Sequence, residues 1–125
     1  MGQKLVYPEE VEVLYMLPAI RRELALYLKQ CGLEQKAIAR LLRVTEPAIS
    51  QYLSAKRATS VVFSDKEKEE IRKSGEKLLK NSNLVGETAH LLHMMLDSRA
   101  TCKICMEVTD APAGCIACFQ HRAHA

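Results

Sequence analysis

The stretch from Leu33 to Arg57 reads LEQKAIARLLRVTEPAISQYLSAKR and decides the fold. Apolar side chains recur at helical spacing from Glu34 to Leu42, and again from Pro47 to about Leu53. Only Arg43–Thr45 separates these two runs, which is too short for anything but a tight turn. The sequence therefore predicts two short helices joined by a turn, with the second helix offering one face to a partner.

The second helix carries its own start signals. Thr45 is a good N-cap, and Pro47 falls in the first turn, where a missing N–H costs nothing. The apolar face that we expect to be buried consists of Ala48, Ile49, Tyr52 and Leu53. The opposite face is formed by Glu46, Pro47, Ser50 and Gln51. These small polar groups suit contact with base edges in a DNA major groove.

The segment Gln35–Leu53 resembles the Xre-type, phage-repressor-like helix-turn-helix. The shared features are Gln35 at the start of the first helix, a Val-Thr turn, and an Ala-Ile-Ser-Gln-Tyr second helix. With LPAIRREL at positions 17–24, the chain resembles a group of small archaeal predicted transcriptional regulators over about residues 8–57. The resemblance implies sequence-specific binding to double-stranded DNA.

Each residue type in the stretch has a plausible chemical role on DNA. Gln51 can pair bidentately with adenine, and Ser50 tolerates several bases. The resemblance implies phosphate contacts for Gln35 and Thr45, and the two basic residues that close the stretch would add charge. The predicted DNA-binding residues are Gln35, Arg43, Thr45, Glu46, Pro47, Ser50, Gln51, Lys56 and Arg57.

Arg43 departs from the family pattern, which usually has Gly in the turn. In a left-handed conformation a non-glycine residue costs about 1–2 kcal/mol, which a phosphate contact of the arginine could offset. The alternative for the whole stretch is an αα-corner of the kind used in protein-interaction modules.

A second unit lies seventy residues away. Cys102-x-x-Cys105, nine residues, then Cys115-x-x-Cys118 is the spacing of a tetrahedral four-thiolate metal site. Pro112 in the spacer favours a hairpin or tight loop that would bring the two pairs together. In a reducing compartment, clustered cysteine pairs are metal ligands more often than disulfides.

The identity of the metal stays open between zinc and a 4Fe-4S cluster. Zinc is the usual occupant of four-thiolate sites in small domains. Four cysteines also hold iron–sulfur clusters, and apolar neighbours such as Ile104, Met106 and Phe119 suit a cluster. The Cys-Ile-Ala-Cys fragment at 115–118 also resembles ferredoxin ligands. Redox disulfides or free thiols are the third alternative.

The remaining segments predict further helices. A helix that begins near Pro8 is expected to stop or kink near Pro18, and the next one to end at Gly32. We expect Cys31 to pack in the core. A capping box at Ser64 opens a largely solvated helix. The run 84–96 is so apolar that a dimer contact is predicted.

Charge and composition limit the class of protein. Of the net charge of +3, residues 1–63 carry +3 (nine Lys/Arg, six Asp/Glu), residues 64–98 carry −1 and residues 99–125 carry +1. The surplus thus lies with the DNA-binding stretch. No apolar run approaches the roughly 18 residues of a membrane helix, and no signal peptide is evident, so a cytoplasmic protein is expected. No catalytic set of residues is recognisable, so no enzymatic activity is expected.

Taken together, the sequence predicts an all-α protein. Its parts would be a helix-turn-helix domain at 1–63, a helical linker and dimerisation region at 64–98, and a four-cysteine motif at 99–125. The expected function is that of a homodimeric transcriptional regulator on a palindromic operator. The rival is a protein-interaction adaptor with a structural zinc ribbon.

Overall fold

The computed structural model describes residues 4–56, 58 and 61–120, and within these ranges all regular structure is helical. The helices are α1 (Pro8–Val11), α2 (Leu17–Gln30), α3 (Gln35–Leu42), α4 (Glu46–Leu53), α5 (Asp65–Asn81), α6 (Leu84–Asp97) and α7 (Ala100–Val108). A π-helical segment, Glu12–Met16, joins α1 to α2, and a 3-10 turn, Ala117–Phe119, follows α7. The expected all-α fold is confirmed. Arg57 lies outside the described residues.

Helix α2 is the centre of the bundle. It packs against α3 and α4, which form the predicted helix-turn-helix, and against α5 and α6 from the second half of the chain. Its buried side chains are Ala19, Ile20, Leu24, Ala25 and Leu28. One hydrophobic core therefore supports both α3–α4 and the helices that follow them.

The predicted stop at Gly32 is confirmed. Gly32 takes a left-handed conformation (φ 94°), its N–H donates to the carbonyl of Lys29 at 3.0 Å, and the N–H of Leu33 donates to that of Leu28 at 3.2 Å. This pair of bonds is a Schellman motif, which ends a helix by satisfying its last carbonyls. The expectation that Cys31 packs in the core is wrong, because the motif turns this residue outward and leaves it exposed.

The helix does not stop at Pro18, so that part of the expectation is wrong, while a kink there stays a prediction. Leu17 is helical (φ −61°, ψ −46°), and its N–H donates to the carbonyl of Glu12, five residues back. A proline ring normally clashes with the carbonyl four residues earlier, which here belongs to Leu14. The wider π turn supplies the room, so α1 continues into α2 without a stop.

The second half of the chain begins with the predicted capping box. The N–H of Glu67 donates to Ser64 Oγ at 3.2 Å, and the N–H of Ser64 donates to Glu67 Oε1 at 2.8 Å. In the middle of α5, Gly75 lies against the ring of Tyr27 on α2. A Cβ at this position would be 2.6 Å from Tyr27 Cδ2, so the glycine permits close helix packing.

Helix α6 uses much of its apolar surface inside the protein. Leu91 and Met95 are fully buried, and Leu84, Leu92 and Met94 pack partly against the core. Besides them, Val85 is 71% exposed. The expected dimer contact through this helix stays a prediction.

The first cysteine pair lies on a helix, α7. Helix α7 packs against α1, the π-helical segment and α6. The N-terminal stretch lies beside its far end, where the N–H of Leu5 donates to the carbonyl of Val108 at 2.9 Å and Lys4 pairs with Asp110 at 3.3 Å. The tight turn of the spacer is present, since the N–H of Cys115 donates to the carbonyl of Pro112.

Candidate nucleic-acid interface and metal centre

The turn between α3 and α4 is fixed by backbone and side-chain bonds. The N–H of Val44 donates to the carbonyl of Ala39 at 3.0 Å, which ends α3. Thr45 Oγ1 then accepts the N–H of Ala48 at 3.2 Å, which starts α4 as predicted. Two helices held in this way keep a fixed mutual orientation.

Arg43 occupies the left-handed region in this turn (φ 56°, ψ 44°), a conformation that favours glycine. The strain is about 1–2 kcal/mol for a residue with a Cβ. Its side chain is exposed, and so is that of Arg40 one turn earlier. The guanidinium of Arg43 is therefore accessible beside the start of α4.

Helix α4 has one buried and one accessible face. Ala48, Ile49 and Tyr52 are buried, and Leu53 is half-buried, as the apolar pattern predicts. On the accessible side, Glu46, Pro47 and Ser50 are exposed and Gln51 is half-buried. The structure thus places the predicted base-reading residues together on the outer face of one short helix.

The predicted phosphate-contacting residues lie around this face. Gln35 is half-buried at the first position of α3, and Thr45 is exposed while its hydroxyl caps α4. Lys56 is exposed just beyond α4, after Ala55, which is also left-handed (φ 59°). Exposed Lys36 adds a further positive charge on α3.

The four clustered cysteines share one cavity. Cys102 and Cys105 project from α7, whereas Cys115 and Cys118 come from the segment after the spacer turn. All four line a cavity of about 610 Å³ whose wall is mostly apolar. Cys105 is buried, the other three are half-buried, and all are free thiols.

The thiols influence one another electrostatically. Burial, followed by the neighbouring Cys118, Cys102 and Cys115, raises the pKa of Cys105 to about 11. Burial also raises the pKa of Cys118, with Cys102 and Cys115 as the next causes. Each thiolate disfavours the ionisation of its neighbours, and a bound cation would stabilise several thiolates at once.

A carboxylate from another part of the chain lies within electrostatic range of two of these thiols. Glu12, in the π-helical segment, contributes to the raised pKa values of both Cys105 and Cys118. The pKa of Glu12 is itself raised, first by burial and then by the charge of Glu9. The charged residues that line the cavity itself are Arg99, Lys103 and Asp110.

Arg99 joins the two cysteine pairs. Its Nη1 donates to the carbonyl of Cys115 at 3.0 Å and lies 3.8 Å from the Sγ of Cys102. Its guanidinium carbon lies 4.0 Å from the ring centroid of Phe119. Arg99 also has a left-handed backbone (φ 70°, ψ 10°) immediately before α7.

The donor set fits a thiophilic metal, because four thiols border one mostly apolar cavity. Within 4–56, 58 and 61–120, no three His, Cys, Asp or Glu side chains stand ready to hold a metal ion. The four predicted ligands therefore line one cavity, but their side chains do not converge on a single metal position.

The sequence predicts Phe119 as an apolar neighbour of the cysteines, and the structure places it in the cavity wall. It does not predict Arg99, because the role of Arg99 depends on a left-handed backbone that its residue type disfavours. It does not predict Glu12 either, which comes within electrostatic range of the thiols through the packing of α7 on the π-helical segment.

Comparisons with known proteins return no match: no family model, no curated protein and no solved structure corresponds to this chain. Within the described residues, every helix is too short or too polar to cross a membrane.

Proposed function

We propose that this chain is a sequence-specific DNA-binding transcriptional regulator that acts as a homodimer on a palindromic operator. The observation that supports this most is the division of α4 into two faces. Ala48, Ile49 and Tyr52 anchor it on the bundle, while small polar side chains point outward. A recognition helix needs this combination, because one face must be fixed to its own domain while the other offers hydrogen-bonding groups to base edges in the major groove.

The accessible residues offer a chemically varied reading surface. Gln51 would read adenine bidentately, and Ser50 would accept several bases. Glu46, at the first position of α4, would accept a hydrogen bond from the amino group of cytosine. Arg43 and Lys56 lie exposed at the two ends of α4, where they would contact phosphates on either side of the groove.

The dimer is part of the proposal because a single short recognition helix reads few base pairs. Helix α6, with Val85 exposed and several half-buried apolar neighbours, is the proposed dimer contact. Two copies would then read half-sites about one helical turn apart.

The C-terminal site would hold zinc or an iron–sulfur cluster through Cys102, Cys105, Cys115 and Cys118. Zinc would supply structural closure, and a cluster would supply one-electron redox chemistry. The two cases separate on one spectrum of anaerobically purified protein together with its metal content. Iron and sulfide with visible absorption establish a cluster, whereas a colourless protein with stoichiometric zinc removes it.

DNA binding is tested by selecting bound sequences from a random duplex library and measuring affinities by fluorescence anisotropy at several salt concentrations. We expect a palindromic preference, and the double variant Ser50→Ala with Gln51→Ala should lose it while keeping the native circular dichroism. The control, Lys66→Ala with Lys68→Ala, changes exposed residues at the start of α5 and should keep the preference.

The opposite outcome is equally clear. A library that yields no preferred sequence, together with affinity that does not depend on salt, would exclude DNA recognition. The chain would then be an interaction adaptor, with α3 and α4 as scaffold.

A further inference from the structure

Arg99 is placed where one side chain can hold both cysteine pairs. It lies immediately before α7, which carries Cys102 and Cys105, and its guanidinium reaches across the cavity to the second pair. There Nη1 donates to the carbonyl of Cys115 at 3.0 Å, and the cation lies over the ring of Phe119, next to Cys118. Removing this side chain would release the second pair from α7.

The same nitrogen lies 3.8 Å from Cys102 Sγ. This contact fixes the position of the Cys102 sulfur from the same guanidinium that holds the Cys115 segment. Groups that orient metal ligands in this way are worth roughly 10–100-fold in metal affinity.

The backbone of Arg99 gives an independent argument. The N–H of Arg99 donates to the carbonyl of Leu96 at 3.1 Å, in the left-handed position that follows a helix end. Glycine fits such a position without strain, and it ends α2 in this way at Gly32. A strained backbone beside a cluster of reactive groups points to a use for the side chain that it carries.

We propose that Arg99 is the positioning residue of the four-cysteine site, holding the second cysteine pair against the first and donating an N–H to Cys102. The inference rests on the proposed metal site. It is independent of the choice between zinc and a cluster, because both require thiolates from both pairs.

The test measures the Zn²⁺ dissociation constant of the reduced, metal-free protein by competition with a chromophoric chelator. We expect Arg99→Met to weaken Zn²⁺ binding by about 10–100-fold. The matched control is Lys103→Met, which removes the same charge from an exposed residue lining the same cavity. It should change the dissociation constant by less than about threefold, well below the effect of an orienting group.

A second variant separates positioning from general stabilisation. Arg99→Gly removes the side chain and also relieves the left-handed backbone. We expect its metal-free form to keep the wild-type urea midpoint or exceed it, while its Zn²⁺ affinity falls as in Arg99→Met. A midpoint that falls in proportion to the affinity would show a structural role and overturn the inference.

The ligand variant Cys102→Ser keeps the two hypotheses apart. If Cys102→Ser binds Zn²⁺ as tightly as the wild type, the proposed metal site itself is wrong. If Cys102→Ser loses Zn²⁺ while Arg99→Met keeps wild-type affinity, only the role of Arg99 is refuted.

Discussion

Replacing Arg43 by glycine should have opposite effects on stability and on DNA binding. Arg43 is left-handed (φ 56°, ψ 44°), so Arg43→Gly removes about 1–2 kcal/mol of backbone strain. The greater freedom of glycine in the unfolded chain returns roughly 0.5–1 kcal/mol of this. We therefore expect the free energy of unfolding to rise by about 0.5–1 kcal/mol, equivalent to an increase in Tm of about 2–4 °C.

The effect on DNA binding comes from the lost guanidinium, which is exposed beside the start of α4. Each lost phosphate contact lowers the magnitude of the salt slope by about 0.9, so a symmetric dimer should lose about 1.8. Urea unfolding measures the first effect, and anisotropy titrations on the selected duplex at several salt concentrations measure the second.

Two matched variants isolate each term. Ala55→Gly relieves another left-handed residue (φ 59°) beyond the end of α4, without removing a charge. It should raise stability by a similar amount and leave the salt slope unchanged. Arg43→Ala keeps the strain and removes the charge, so it should reduce the salt slope and leave stability almost unchanged.

Specific results would refute this reasoning. If Arg43→Gly lowers the free energy of unfolding, the turn does not impose the left-handed conformation. If Arg43→Ala and the wild type show the same salt slope on specific DNA, Arg43 makes no phosphate contact.

Three further predictions concern the bundle. Gly75→Ala should lower the free energy of unfolding by about 1 kcal/mol, because overpacking against the Tyr27 ring outweighs the gain of roughly 1 kcal/mol in helix propensity. In a Tyr27→Ala background the same change should raise the free energy of unfolding, which a double-mutant cycle measured by urea unfolding would show. Ser64→Ala should lower the free energy of unfolding by about 1 kcal/mol by removing the cap of α5, whereas Glu67→Gln, which preserves an acceptor, should lower it less. Equal decreases in Tm for the two variants would contradict this. Burial raises the pKa of Glu12, so its ionisation opposes folding as pH rises. Glu12→Gln should therefore raise the free energy of unfolding of the metal-free protein at pH 7 and lose this advantage on acidification. A difference in unfolding free energy between variant and wild type that does not change with pH would contradict this.

The sequence predicted correctly those helix starts and ends that depend on hydrogen bonds between near neighbours in the chain. Thr45 caps α4, Gly32 ends α2, and Ser64 pairs with Glu67, because each depends on bonds within a few residues. The buried face of α4 followed from periodicity for the same reason. The sequence sufficed for these features since the chain neighbours themselves determine them.

The features that sequence could not supply depend on tertiary packing. The sequence predicts that the helix stops or kinks near Pro18, but the chain stays helical through it, with a π turn just before the proline and α7 packed on that segment. Cys31 has the spacing of a core residue, yet the helix ends there and exposes it. At the cysteine site the four ligand positions were apparent from spacing alone, whereas the reach of Arg99 across the cavity depends on a single unfavourable backbone conformation.

The π turn at Glu12–Met16 means that the N-terminal helix holds one residue more than a regular helix over the same path. Deleting one residue there would let the π turn close into a regular α-helix over the same path, so the residues upstream would keep their orientation relative to α2. Glu9, which influences Cys118, would stay in the helix that packs on α7, and the core of α2 would be unchanged. A relative lacking that residue would align with a gap inside a helix and would still pack its N-terminal helix on the cysteine-bearing one.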